Sequence, residues 1–162
     1  MMRKNNGWWR MCVDYRRLNS ITKFYCFPLP RLDEALDAFS RATVFSSLDR
    51  AMTYHQMHVK PPDFEKTALI THVGFFEIFK MPCILSNALL TYQSLINSPL
   101  QCLISQISLA YLDDVIVLSK RSAYHVTDMR TVLDRIRDAK LNLISVKFNL
   151  FCDQVLYLGD VI

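Results

Sequence analysis

At 162 residues, half of them apolar and about a fifth charged, the chain fits one domain with a substantial buried core. No apolar stretch approaches the ~20 residues that span a bilayer, and the opening MMRKNNGWWR lacks the apolar segment of a secretory leader; a membrane-spanning or secreted protein is therefore not expected. Five cysteines without a CxxC pair argue against a disulfide framework or zinc site and for a reducing compartment.

The net charge of +4 is unevenly spread: residues 1–31 hold seven Lys or Arg against one Asp, and the remainder twelve against fourteen acids. This basic front carries Trp8, Trp9, Tyr15, Phe24, Tyr25 and Phe27, a composition that can grip phosphates and stack on bases. It also describes a solvated basic edge with aromatics turned into a core.

In chain order, RMCVDY (10–15) alternates as a strand. Residues 27–39 give an extended proline segment, then a short helix with Leu32, Leu36 and Phe39 on its buried side. TVFSSLD (43–49) reads as a strand with an acidic end, and 54–59 as an extended or mixed segment. KTALIT and FFEIFK flank HVG as a hairpin around Gly74. Residues 87–98 read as a helix, with Pro99 ending or kinking it. Residues 107–118 form two short strands meeting at Asp113–Asp114. From Ser122 to Lys140, Val126, Met129, Leu133 and Ile136 mark an amphipathic helix packed on a sheet. VLYLGDVI closes the chain as a strand turning at Gly159. Strands, helices and hairpins in this mixture favour an α+β domain.

Within LAYLDDVIVLS (109–119), two adjacent carboxylates sit between strand-like apolar residues. Asp favours turns because its short side chain bonds nearby backbone, and a turn alone accounts for the pair. Two such charges ~4 Å apart, however, repel by ~4 kcal/mol at an effective dielectric near 20, which a divalent cation would offset. FSSLD (45–49) repeats the arrangement of apolar strand then acid. If the strands are neighbours, Asp49 and Asp113 can share a hard, oxygen-preferring cation such as Mg²⁺, and two such ions suit phosphoryl transfer. His55 and His58 have HxxH spacing but no third ligand, and read as surface histidines.

At these residues the sequence resembles the reverse transcriptases of gypsy-type LTR retrotransposons, and through them retroviral polymerases. YLDD (111–114) resembles the YxDD box and FSSLD the first aspartate motif. WRMCVDYRRLN (9–19), YCFPLPRLDEALDAF (25–39), EKTALIT (65–71), MPCILSNALLTYQ (81–93) and YLGDVI (157–162) resemble the surrounding motifs in order. The resemblance implies a right-handed polymerase, palm with antiparallel sheet flanked by helices plus partial fingers. Its fingers would be about 1–42 and 60–90, and its palm about 43–59 and 91–162.

It further implies Asp49, Asp113 and Asp114 as catalytic metal ligands for two Mg²⁺ ions, with Mn²⁺ a substitute. Arg3, Arg10, Tyr54 and Lys147 would be the nucleotide contacts, Tyr54 as a gate excluding a 2′-hydroxyl. Tyr111, Leu112, Gln93, Leu158 and Gly159 would be the template and primer contacts. The partners implied are an RNA or DNA template, a DNA primer and deoxynucleotides, inside a particle of the parent element or in the nucleus. Thumb, RNase H and integrase segments are expected in the parent polyprotein and not in this stretch.

Several residues depart from the family pattern. Ile84 stands for a glycine, where a β-branched side chain should crowd the space and resist glycine-only dihedrals. Thr53 stands for another glycine, Leu89 for a proline, and Pro99 interrupts a helix. These departures lead to the expectation of weak DNA synthesis. A non-catalytic nucleic-acid-binding remnant, a Mg²⁺-dependent phosphohydrolase and a structural domain with a simple Asp turn remain alternatives.

Overall fold

A computed structural model describes residues 2–3, 7, 9–10, 13–49, 53–112 and 114–162, and only the backbone of 2, 3, 9, 10, 53 and 146. The elements run β1 (Met2–Arg3), β2 (Trp9–Arg10), α1 (Arg16–Ile21), α2 (Leu32–Ser40), β3 (Val44–Asp49), β4 (Leu69–Thr71), β5 (Gly74–Phe76), α3 (Ala88–Leu100), β6 (Ser108–Tyr111), β7 (Asp114–Ser119), α4 (Ser122–Asp138), β8 (Asn149–Cys152), β9 (Leu156–Tyr157) and β10 (Asp160–Val161). They divide into two compact units, Met1–Tyr25 with Tyr54–Leu89, and Cys26–Thr53 with Leu90–Ile162.

The first unit joins two antiparallel hairpins, β1–β2 and β4–β5, to helix α1. The buried Tyr15 hydroxyl donates to the Thr67 carbonyl at 2.9 Å, and Asn19 donates to the Ile84 carbonyl while accepting from the Ser86 amide. Asn87 likewise bonds the Tyr25 amide and the Lys23 carbonyl. These side-chain bonds give partners to backbone groups in loops and at the end of the Glu65–Thr67 3-10 turn.

The second unit is built on a four-stranded antiparallel sheet in the order β6-β7-β3-β8. Alternate residues of β7 enter different cores. Ile116 and Leu118 pack with Phe45, Leu109, Tyr157 and the Ala35, Ala38 and Phe39 face of α2. Val115 and Val117 pack with Leu48, with Ile96 and Leu100 of α3, and with Val132 and Ile136 of α4. Covering on both faces explains why β7 is continuously apolar rather than alternating.

Several expectations are corrected. Of the RMCVDY strand, Arg10 lies in β2, 11 and 12 lie outside the described residues, and 13–15 are in neither helix nor strand before α1 begins at Arg16. Residues 53–56 form a 3-10 turn. Leu32 and Leu36 of α2 are exposed, because the smaller Ala35 and Ala38 let that helix approach the sheet. Val126 is also exposed: the buried side of α4 is His125, Val132 and Ile136. Pro99 lies in the last turn of α3. Residues 26–42 fall in the second unit, with Ala35, Ala38 and Phe39 in its core, and 54–59 fall in the first.

Candidate active site

The site sits at one end of the β3–β7 ladder. Register pairing sets Val44 opposite Ser119 and, five residues on, Asp49 opposite Asp114. Directly opposed residues share a face, here the α2 face, since Asp49 follows the parity of Phe45 and Asp114 that of Ile116. Like charges so placed destabilise a sheet. Lys147 answers them: its Nζ donates to Asp49 Oδ2 at 2.8 Å, and the pair is open to solvent, with side-chain exposures of 59% and 32%. Lys147 ends a 3-10 turn, Ser145–Lys147, which is anchored where the Ile144 amide donates to the Asp49 carbonyl at 3.0 Å. The backbone thus delivers the ammonium to the acid.

Asp113, expected as a principal ligand, lies outside the described residues. Its neighbours define its setting. Tyr111 pairs with Asp114 across β6–β7, and Leu112 lies in the turn that follows β6. Leu112 has φ 47°, the left-handed geometry that tight hairpins require and that costs a non-glycine residue ~1–2 kcal/mol. A short turn at the acid end is thereby imposed on an unfavourable residue type.

The C-terminal hairpin β9–β10 brings Tyr157 beside Tyr111, ring centroids 6.1 Å apart. Burial, then Tyr111 and the charge of Asp114, push the Tyr157 phenol above its usual range. Tyr157 therefore stays protonated near the acids. It is a site neighbour that sequence reading passed over, although it opens the YLGDVI motif. Leu158 and Gly159 form the hairpin's turn, at φ 54° and 99°, with Leu158 exposed.

The remaining candidates separate. Gln93 is fully buried with its carboxamide bonded to β6 and the following turn, so it is not presented to a template as expected. Tyr111 and Leu112 are half-buried. Tyr54 lies half-buried in the first unit; the strands containing Arg3 and Arg10 belong to the same unit, and those two side chains are outside the description. His58 Nε2 meets Lys80 Nζ at 2.7 Å, and both His55 and His58 are exposed, as expected of surface histidines. Ile84 is absent from the left-handed backbone positions and is 39% exposed, so the anticipated dihedral strain does not arise there.

Among the described residues no three His, Cys, Asp or Glu side chains gather into a metal cage. Two facing carboxylates still suit Mg²⁺, which takes one or two protein carboxylates and completes its shell with water and substrate phosphates. No helix among the described residues is long and apolar enough to cross a membrane.

Residues 2–162 match the family described as reverse transcriptase (RNA-dependent DNA polymerase). The chain is 32% identical over 154 residues to the retrovirus-related Pol polyprotein from transposon 297 of Drosophila melanogaster, covering 95% of this chain and 14% of that polyprotein. It is 32% identical to the Pol polyprotein from transposon gypsy of the same species, over 94% of this chain and 15% of the relative. A third relative, the transposon Tf2-3 polyprotein of Schizosaccharomyces pombe, is 32% identical over 96% of this chain and 12% of its own length. The chain thus spans a small part of these relatives. The fold is shared with the foamy viral protease-reverse transcriptase in complex with RNA/DNA hybrid (TM-score 0.85, 18% identity, 98% of this chain and 21% of that one). A structure of that viral protein in complex with double-stranded DNA is similar too (TM-score 0.81, 19% identity, 99% of this chain and 31% of that one). This chain belongs to the reverse transcriptase (RNA-dependent DNA polymerase) family.

Proposed function

We propose that this chain forms the palm and part of the fingers of a polymerase that copies an RNA or DNA template by adding deoxynucleotides to a DNA primer. The observation that carries the reading is the facing pair Asp49 and Asp114 at a solvent-open sheet end, with Lys147 on Asp49. In this reading the second unit is the palm and the first unit belongs to the fingers. The parent is a retrotransposon polyprotein working in an intracellular particle or the nucleus.

Asp49 and Asp114, with Asp113, would hold two Mg²⁺ ions, for which Mn²⁺ can substitute. Bound there, the ions supply Lewis-acid stabilisation of the attacking and leaving oxygens. The chain's own residues do the rest. Lys147 neutralises Asp49 at rest and, turning from it, offers its ammonium to a triphosphate or a leaving group. Tyr157 keeps its phenol proton beside Asp114 and excludes water from that wall. Arg3 and Arg10 grip the nucleotide's phosphates, and Tyr54 closes against a 2′-hydroxyl. Tyr111, Leu112 and the Leu158–Gly159 turn border the primer end.

The test is extension of oligo(dT) on poly(rA) with dTTP and Mg²⁺ by the 162-residue chain. Incorporation that disappears on chelation and in Asp49→Asn supports the proposal. Salt-sensitive binding of primer-template with no incorporation at any metal concentration would replace the enzyme with the non-catalytic remnant. Phosphate release without a primer would replace it with the phosphohydrolase.

A further inference from the structure

We propose that Gln93 is a positioning residue whose carboxamide serves as a one-residue strand on the open edge of β6, fixing the Leu112 backbone that leads into the acid end of β7. Strand β6 stands at the edge of its sheet, so its outer backbone groups have no strand to pair with. Two of them point the same way, the carbonyl of Ala110 and the amide of Leu112, one on each side of Tyr111. Gln93 takes both. Its Nε2 donates to the Ala110 carbonyl at 2.9 Å, and its Oε1 accepts from the Leu112 amide at 2.7 Å.

This is the bonding pattern of a parallel strand opposite Tyr111, reduced to a single amide group. The second N–H of Nε2 donates to Asn97 Oδ1 at 2.8 Å, one turn along α3. That bond sets which end of the carboxamide faces which backbone group: reversed, two oxygens would meet at Ala110 and two N–H groups at Leu112. Gln93 is fully buried, so water cannot stand in for it.

The consequence reaches the acids through covalent geometry. Leu112 is held at φ 47°, a conformation that leucine leaves readily unless its surroundings impose it. The bond from its amide to Gln93 is such an imposition, one residue before Asp113 and two before Asp114. For catalysis this rests on the polymerase reading; the hydrogen bonds and their effect on metal affinity do not.

The experiment uses the full chain with Gln93→Met and Gln93→Glu. A glutamic acid, while protonated, can donate to the Ala110 carbonyl and accept from the Leu112 amide. Once ionised it can only accept. Burial beside carbonyl oxygens raises the pKa of such a carboxyl, so the substitution should titrate. Hydrogen exchange at the Leu112 amide, corrected for intrinsic rates, is followed by NMR from pH 5 to 8. Mn²⁺ affinity is measured by electron paramagnetic resonance at pH 7.5.

Wild type should show pH-independent protection of Leu112. Gln93→Glu should match it at low pH and lose protection as pH rises. Gln93→Met should lack it throughout, and should bind Mn²⁺ at least about tenfold more weakly, as is typical when the hydrogen bonds that orient metal ligands are lost. Equal Leu112 protection and equal Mn²⁺ affinity in wild type and Gln93→Met would overturn the proposal. If Gln93→Met does not fold, Gln93→Glu decides alone, and a flat profile overturns it. Loss of Leu112 protection and Mn²⁺ affinity in a chain whose wild type incorporates no nucleotide would sustain this inference while removing the polymerase reading.

Discussion

Strand β3 carries two polar clusters, and they are built on opposite terms. At its far end Asp49 faces Asp114 in the open, with Lys147 reaching in from solvent. In its middle, Ser46 lies fully buried in a chain of side chains to α4 and β7. The Ser46 hydroxyl and His125 Nε2 are 2.7 Å apart, His125 Nδ1 and Ser119 Oγ 2.9 Å, and Ser119 donates to Asp128 Oδ2 at 2.5 Å. Ser119 has one proton and gives it to a carboxylate, so it must accept from Nδ1–H. Nε2 is then the acceptor of the Ser46 proton. Ser46 Oγ in turn accepts the Phe151 amide at 3.0 Å. Every group in the buried chain is matched with the imidazole neutral, whereas the open cluster keeps its acids facing each other. The first arrangement is closed to solvent; the second is open to it. Ser–His–Asp residues in one line therefore do not make a hydrolase here, because Ser46 and His125 are sealed from any substrate.

Breaking the buried chain should have the largest effect on stability. His125→Leu leaves the hydroxyls of Ser46 and Ser119 short of a partner, at about 1–3 kcal/mol each. We expect a loss of ~2–4 kcal/mol in urea unfolding at pH 7.5. Burial also holds the His125 pKa below its ordinary 6.5, with Asp128 opposing the shift in part. The unfolded chain then binds a proton below about pH 6.5 that the folded chain resists. This stability is present in full above that pH and falls away as the pH drops through the folded value. Wild type should lose stability on acidification across that window, and His125→Leu should lack that component. Parallel pH profiles of the two proteins would refute the neutral imidazole.

Changing the open cluster should matter less to the fold and more to the ion. The exposure of Lys147 limits its pair with Asp49 to about 0–1 kcal/mol. Lys147→Met should lower stability by up to that amount in EDTA, since the facing carboxylates lose their counter-charge. Saturating Mg²⁺ should close the gap by stabilising the variant more than wild type. Thermal melts with and without the ion read this directly; a gap indifferent to Mg²⁺ would mean that Lys147 acts through packing.

The two clusters also differ in how far the sequence discloses them. Acidic strand ends are legible because an Asp after apolar residues breaks a local pattern, and the Asp49 and Asp113–Asp114 motifs stand out for that reason. The buried chain is not legible, since Ser46, Ser119, His125 and Asp128 look like surface residues until tertiary contacts assign them partners. Strand β8 went unforeseen for a related cause: it pairs with β3 about a hundred residues earlier, and no local period encodes that pairing. Helix faces were misread where small residues won the contact, as Ala35 and Ala38 did over Leu32 and Leu36. Gln93 was assigned to the right region with the wrong partner, because only the edge position of β6 reveals what its amide bonds.

The smallest expected effect lies at Leu112, between β6 and β7 and two residues before Asp114 of the open cluster. Leu112 occupies left-handed backbone with a branched apolar side chain, while Asn adopts that region readily. Its side chain is only half-buried and belongs to neither core, so Leu112→Asn removes little packing while relieving the backbone. Leu112→Val keeps an apolar group but adds a branch at Cβ, which makes positive φ harder still. The two substitutions should move unfolding free energy in opposite directions, Asn up and Val down, each by about 1 kcal/mol or less. Equilibrium urea curves resolve that sign difference even where each change is small. Both variants falling together would mean that the Leu112 side chain, rather than its backbone, holds the turn, and the acid end of β7 would then depend on packing, unlike the hydrogen-bonded middle of β3.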